Sequence, residues 1–514
     1  MNLLLKNIFV MKRLPIIYLF SFIFFSVNAQ SSFDALRYST LEIGGTARAI
    51  GIGGGIGALG GDFAVSSTNP AGMAIYRTSE FNFSPGFDIL VTDSQLEGTG
   101  NELITESQTK FSFNQLGIVL HAKPKGNSKW KTSNFSIGFN RLADFREEFF
   151  YEGQSTGSIT DRFLQQSFDA SGRGLSPGEL DDFEAGPAYD ASAIFDGDLD
   201  PNDDFFAWTS DFEFAPNALI QRSQRVKRTG AINELVLSYA GNLNNRFLIG
   251  VTLGIPFLRY TEEREYRESD PNQSVEFFDN LSYTETLSTR GTGTNLKLGM
   301  IYWANPKLRL GAAVHTSTRF NLSDDFTTRI DYTLTVNGAT ETNAGEPFNP
   351  LEFDYRLKTP WRFIGSAGLI VPKLGFLSLE AEWLNFSAAD FDLTSSSDDP
   401  GDASFETELN DEISQDFKGA LTVRFGGEYA LNQFRFRAGY NITGNPLENG
   451  DINNNSLSLG FGFRQNKYFI DLAYRRNQRE GEFSPYRLID SSDEQVVEQT
   501  FNRNKILMTV GFKF

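Results

Sequence analysis

From Thr78 to the C-terminus, apolar and polar residues alternate with a period of two, as in strands with two unlike faces. The end of the chain is clearest. Leu421, Val423, Phe425, Gly427 and Tyr429 share one parity, and Thr422, Arg424, Gly426 and Glu428 the other. Phe434, Phe436, Ala438 and Tyr440 stand against Arg435, Arg437, Gly439 and Asn441. The last run sets Ile506, Met508, Val510, Phe512 and Phe514 against Leu507, Thr509, Gly511 and Lys513. About fourteen such segments are predicted. They are Thr78–Val91, Lys110–Lys123, Ser133–Arg146, Gly230–Leu243, Arg246–Tyr260, Ser288–Trp303 and Lys307–Phe320, then Trp361–Val371, Leu374–Phe386, Phe417–Leu431, Gln433–Ile442, Ser456–Gln465, Lys467–Asn477 and Arg503–Phe514. Short links (Asn244-Asn245, Asn305-Pro306, Pro372-Lys373, Asn432, Asn466) alternate with long acidic ones, Tyr151–Arg228, Thr261–Leu287 and Asn321–Pro360.

A soluble sandwich also alternates, with its apolar face inside. Here the polar parity mixes Arg, Glu, Gly and Ser, as a filled lumen would, and the chain ends on the apolar parity with an aromatic residue. The pattern therefore predicts an all-β fold: a transmembrane antiparallel β-barrel of about 14 strands, with short periplasmic turns and long extracellular loops. Upstream lies Gly44–Gly72, GGTARAIGIGGGIGALGGDFAVSSTNPAG, which is glycine-rich and carries small apolar side chains. It is a poor independent helix or strand, since glycine permits conformations and close approaches closed to other residues. It reads as an N-terminal hatch, or plug, in the lumen, with Gly53, Gly54, Gly55, Asn69, Pro70 and Ala71 as its gating residues. A dinucleotide loop would need a buried strand before it and βαβ alternation after it, and neither is present. The implied division is a signal peptide over 1–29, the hatch over 30–77 and the barrel over 78–514.

Composition sharpens this picture. Of 514 residues, 49 are Phe, yet mean hydropathy is only −0.30, because alternation hides apolar surface from an average. Lys12-Arg13, an apolar run to Val27 and Asn28-Ala29 read as a secretory signal cut after Ala29, with Met1 or Met11 as the start. No later apolar run is long enough for a spanning helix. A net charge of −19 argues against nucleic acid as a partner. The absence of cysteine excludes disulfides and thiolate metal sites. His121 and His315 are the only histidines, and both fall on predicted strands, so neither a His-ligated metal nor haem is expected. Neither has a catalytic Ser motif beside it, and no phospholipase or protease activity is expected. Asp196-Gly197-Asp198-Leu199-Asp200 begins like a calcium loop, but Pro201 replaces the required Gly and the distal Glu is missing. No cofactor and no metal are implied.

Two sets of polar residues are candidates for function. Arg424, Arg435, Arg437, Arg464 and Arg475 share the lumen parity and could hold a carboxylate headgroup; pairing with Glu428, Asp471 or hatch residue Asp62 is the alternative. In the third segment, Phe135, Ile137 and Phe139 face lipid, so unbroken parity would carry Arg141 into the bilayer at about 2–4 kcal/mol. A bulge or kink at Asn140, Arg141 and Asp144 is expected, with Leu142 turned outward; a membrane boundary at that level would serve equally. Phe195, Phe205, Phe206, Trp208, Phe212 and Phe214, interspersed with acids, form either an apolar groove at the mouth or an internally packed loop.

Ala35-Leu36-Arg37-Tyr38-Ser39, the Gly44–Gly61 segment, Asn69-Pro70-Ala71-Gly72 and the strand entry at Glu80-Phe81 together resemble the FadL/TodX family of outer-membrane transport proteins. The likeness covers nearly the whole mature chain. It implies a fourteen-stranded barrel in the outer membrane of a Gram-negative bacterium, with a hatch that gates passive transport of hydrophobic molecules such as long-chain fatty acids. Exit would be past an inward-kinked third strand. It implies a monomer whose partners are a fatty-acid-like ligand, the lipid bilayer with its lipopolysaccharide, and the barrel-assembly machinery through the C-terminal Phe514. Some FadL-like proteins instead serve as structural or docking subunits of cell-surface export assemblies, and the long outer loops are compatible with that. A haem-uptake role, also attached to such proteins, lacks ligands here.

Overall fold

The computed structural model describes residues 30–514 apart from 43, 125–127, 199–205, 395–399, 451–453 and 489–494. The signal-peptide reading, Phe205 and the end of the calcium-like loop lie outside the described residues. Fourteen antiparallel strands form the wall. The first seven are β1 (Glu80–Leu96), β2 (Ile104–Ala122), β3 (Trp130–Asp144, resumed over Glu147–Ser155), β4 (Ile220–Leu243), β5 (Phe247–Ser269), β6 (Phe278–Trp303) and β7 (Leu308–His315, resumed over Arg319–Val336). The rest are β8 (Leu351–Lys358, resumed over Arg362–Val371), β9 (Gly375–Asn385), β10 (Gly419–Leu431), β11 (Phe434–Thr443), β12 (Asn454–Arg464), β13 (Tyr468–Phe483) and β14 (Val497–Lys513). Each pairs with the next, and β14 pairs back onto β1, with Phe87 opposite Ile506. The expected fourteen-stranded barrel is present and closed.

The apolar parity faces out. Phe425, Tyr429, Phe436, Leu459, Leu472 and Met508 are exposed, whereas Arg424, Arg437, Ser458, Asp471 and Thr509 point inward and are buried. On β5 the outward run Phe247–Phe257 matches the roughly 9–11 residues a tilted strand needs to cross a bilayer. Tight turns close the near end, and Asn244, Asn245, Lys373 and Asn432 adopt positive φ there, as two-residue hairpins require.

At the far end the structure corrects the predicted boundaries. Thr261–Leu287 and Asn321–Pro360, read as loops, are mostly strand. Above Phe257 the amphipathic sense inverts: Leu258, Tyr260 and Tyr266 are buried inside, while Thr261, Glu263 and Glu265 face outward. The barrel is apolar-out where it meets lipid and apolar-in where it projects into water. β4 to β7 therefore form a tall wall, and β9 to β12 stop near the membrane.

Three apolar layers lie in the lumen. The lowest joins Ile52, Ile56, Phe63, Val65 and Met73 of the hatch to Val119, Val236, Leu248 and Ile301 of the wall. The middle one joins Tyr38, on helix α1 (Ser32–Ser39), to Ile232, Leu258, Tyr260, Phe320 and Leu357, with Leu409 and Ile413 contributed by a helix over Pro400–Asp416. The uppermost is a cap in which Phe163, Trp208 and Phe212 pack against Tyr266, Phe278 and Tyr332. The aromatic run is thus largely an internally packed loop. Trp208 Nε1 donates to the Leu175 carbonyl at 2.8 Å and the Phe212 ring meets Phe278 at 4.8 Å, whereas Phe214 stays 78% exposed.

Candidate functional site

The hatch takes its shape from local capping. Ser31 and Asp34 form a capping box at the start of α1. Thr46 caps α2 (Ala47–Gly51) by accepting from Ala49 N. Asp62 accepts from Ala64 N at 2.9 Å and from Thr46 Oγ1 at 2.7 Å, tying two short helical turns together. Asn69 accepts from Ala71 N, donates to the Gly57 carbonyl at 2.8 Å, and starts the 3-10 turn Pro70–Ile75 with Pro70 at its first position. Side-chain caps of this kind satisfy the orphan N–H groups of short helices. The predicted Asn-Pro-Ala turn is thus the head of a helical turn.

What seats this segment is a match of glycine on glycine. Gly117 and Gly138 are directly paired across β2 and β3, and the Phe63 ring lies on them so closely that a Cβ at either position would come within 2.4 Å of it. Gly250 and Gly299, paired across β5 and β6, receive Asn69, Pro70 and Ala71. Gly426 and Gly439, paired across β10 and β11, receive Ile52 and Gly53. Gly53 itself has φ +69° and no room for a side chain beside Asn441, while Gly55 packs on Ser378 and Arg424. Gly54, at φ +83°, lies between them.

The lumen arginines are engaged by carboxylates. Arg437 donates to Glu428 at 2.7 Å and to Asp471 at 2.8 Å, leaving only Nη2 without a partner. Arg464 donates to Asp471 at 2.7 Å. Arg424 bridges Glu380 and Glu382 at 3.2 and 3.0 Å. Arg435 lies 3.7 Å from Glu428 and also donates to two backbone carbonyls. Arg475 pairs with hatch residue Glu42, which also receives Arg503 at 3.2 Å and lies 3.9 Å from Lys505. Burial would raise the Glu42 pKa, but Arg475, Lys505 and Arg503 outweigh it and hold the carboxyl below the ordinary carboxylate range. Asp62 serves as a cap within the hatch and pairs with none of the five lumen arginines. The five arginines do not converge on one point: they form a chain of pairs around the wall.

Sequence reasoning missed half of this network. Glu380 and Glu382 share the lumen parity of β9 and could have been found by the same test as the arginines. Glu234, which accepts from Ser67 of the hatch at 2.7 Å and pairs with Lys297, was also legible by parity on β4. Glu42, in an irregular stretch, gave no signal.

In the third strand, pairing with β4 shifts register between Arg141 and Ala143, and pairing with β2 ends at Asn140. Asn140 points into the lumen and donates to Ser66 and Ser67 of the hatch. Arg141 donates to Asn233 and Asp144, at the level where β4 and β5 leave the apolar band. Leu142, expected to face outward, is instead buried in the middle apolar layer. The shift turns Leu142, Ala143 and Asp144 away from solvent together, so parity is suspended, not reset. Beyond this point side chains, not a ladder, join β2 to β3. Arg146 donates to the Phe111 carbonyl and to Asp88, both at 2.9 Å, and Asn101 accepts from Gln154 N at 2.8 Å.

Between the lower and middle layers, Leu41, Leu142, Lys297, His315 and Arg362 border two adjoining cavities. Each measures about 30 Å³, far below the roughly 300–1,000 Å³ of a small-molecule site. Neither can hold a fatty acid.

A closed fourteen-stranded barrel with an apolar outer band and an N-terminal hatch defines an outer-membrane β-barrel of FadL architecture. A FadL homologue of Pseudomonas aeruginosa superposes with a TM-score of 0.54 at 13% identity, over 93% of this chain and 100% of that one. The toluene transporter TodX of Pseudomonas putida does so at 0.51 and 12%, over 93% and 100%. At such identities the likeness is one of fold. No curated relative matches the chain. The family model BamG matches residues 213–476, slightly more than half of the chain, and the protein belongs to the BamG family.

Proposed function

We propose that this barrel is a structural or docking subunit of a cell-surface secretion or assembly complex, sealed along its whole length. One observation carries the reading: three packed apolar layers occupy the lumen, and the two cavities between the lower and middle layers are only about 30 Å³ each. A transport site for an apolar molecule needs a pocket of roughly 300–1,000 Å³. Two further features support it. The family's name hints at a link with barrel assembly. On the outer loops Phe348 is 98% exposed and Phe214 78%, so both rings are open to a partner surface. The test is purification from native outer membranes in mild detergent. A protein partner should co-purify at fixed stoichiometry and be lost from the Phe214→Ser/Phe348→Ser variant. Elution as a lone monomer under all conditions would contradict the proposal.

The second reading is passive transport of hydrophobic molecules such as long-chain fatty acids, gated by the hatch. It is favoured by the missing ladder between β2 and β3 beyond Asn140, beside which an apolar molecule could leave sideways if the hatch moved. On this reading the arginine chain would be the headgroup site.

A further inference from the structure

Just above the lipid-facing band, the outer surface of β5 to β8 carries Arg259, Arg290, Arg319, Arg356 and Lys358, all exposed. In a chain of net charge −19 this is a local reversal of sign. The register brings like charges face to face. Arg259 is directly opposite Arg290 across β5 and β6, and Arg319 is directly opposite Lys358 across β7 and β8. Such pairs are destabilising unless something negative lies between or beside them. The chain supplies this only in part. Asp325 lies 3.5 Å from Arg290, Asp392 3.6 Å from Arg356 and Asp390 3.8 Å from Lys358. The side chains of Arg259 and Arg319 form no hydrogen bond or ion pair with any described residue.

What lies beneath the patch narrows the missing anion. Phe257, Trp361, Phe363 and Trp383 are exposed there, with the Phe363 ring 6.5 Å from Trp361 and 5.9 Å from Trp383. Aromatic residues at this level mark the edge of the hydrocarbon. An anion joined to acyl chains satisfies both halves of the surface at once, and guanidinium groups match phosphate oxygens in charge and geometry.

We propose that this face of β5 to β8 binds the phosphorylated head group of an outer-leaflet glycolipid, with its acyl chains lying along the aromatic edge. The inference rests on the outer-membrane placement of the barrel and is independent of whether the lumen transports or the cap docks.

The test is native mass spectrometry of the delipidated protein titrated with diphosphoryl lipid A. The Arg259→Gln/Arg290→Gln/Arg319→Gln variant should bind about tenfold more weakly or worse. The Lys227→Gln/Arg267→Gln variant, whose charges are already paired with Glu263 and Glu265 on the same wall, should bind like wild type. Dephosphorylated lipid A should bind wild type as weakly as the triple variant binds the phosphorylated lipid. Heat-modifiable gel migration reports folding. If the triple variant does not fold, Arg259→Gln alone, whose side chain bonds no described residue, should weaken binding in the same direction. Equal binding by wild type and variants, or indifference to the phosphates, would overturn the proposal. Inorganic phosphate binding as tightly as lipid A would assign the patch to a free anion and overturn it as well.

Discussion

The seating of the hatch can be tested at Gly117. A Cβ there would lie 2.3–2.5 Å from three atoms of the Phe63 ring, and no other group comes as near. Ordinary carbon contacts are about 3.5–4.0 Å, so ring and strand must separate by about 1 Å. The strand cannot yield, because Gly117 is held on one side by Asn82 and on the other by Gly138. Phe63 is itself fully buried. Gly117→Ala should therefore destabilise the folded barrel by about 1–3 kcal/mol, the usual cost of overpacking. In a Phe63→Ala background the clash is gone. There the same substitution should be neutral, or stabilising by about 0.5–1 kcal/mol, since alanine restricts the unfolded chain more than glycine does. The assay is a double-mutant cycle on guanidinium unfolding in detergent, followed by tryptophan fluorescence. Because the chain has no cysteine, thiol labelling of an added Ala64→Cys reports hatch lifting separately from barrel unfolding. Equal costs of Gly117→Ala in both backgrounds, with no change in labelling, would refute the argument that the glycine pairs exist to receive the hatch.

Other consequences follow from the charge network. Arg437→Ala removes the guanidinium that joins Glu428 and Asp471, which keep Arg435 and Arg464, and should cost about 1.5–3 kcal/mol. Adding Asp471→Asn should recover part of it, and unfolding midpoints of the two variants measure both effects. For Glu42 the folded carboxyl is held below its ordinary range by Arg475, Lys505 and Arg503 despite burial. A depressed folded value means its contribution is fully present above the ordinary carboxylate pKa and is lost only as pH falls through the depressed value. Unfolding midpoints of wild type should therefore fall with acid more steeply than those of Glu42→Gln; parallel profiles would show that the hatch contact carries no linkage.

The membrane-spanning part of the fold was legible because two solvents impose opposite demands on alternate residues. Lipid outside and a polar, hatch-filled lumen inside wrote the parity of Leu421–Tyr429 and Ile506–Phe514 plainly. The tall wall was missed for the same reason. Above Phe257, water replaces lipid outside and an apolar core replaces the polar lumen, so Tyr260 and Tyr266 carry the pattern with its sense reversed. A search for apolar-out strands reads that as loop. The hatch was recognisable from its glycines, but the matching wall pairs Gly117/Gly138, Gly250/Gly299 and Gly426/Gly439 need the register, which no single strand reveals. The arginines were found by parity, yet their grouping into carboxylate pairs depends on which strands are neighbours and on Glu42, a residue in no regular element. The direction of Leu142 was not legible, because the register shift between Arg141 and Ala143 frees the residue from alternation and packing decides where it goes.

The proposal that the barrel is a scaffold and carries no cargo is tested most directly by equilibrium binding of a fluorescent long-chain fatty acid to the delipidated barrel. We expect no saturable binding, and no difference between wild type and the Arg435→Ala/Arg437→Ala variant in whatever partitioning remains. Saturable binding that weakens in the variant would contradict the sealed-scaffold account and assign the arginine chain to a transport site.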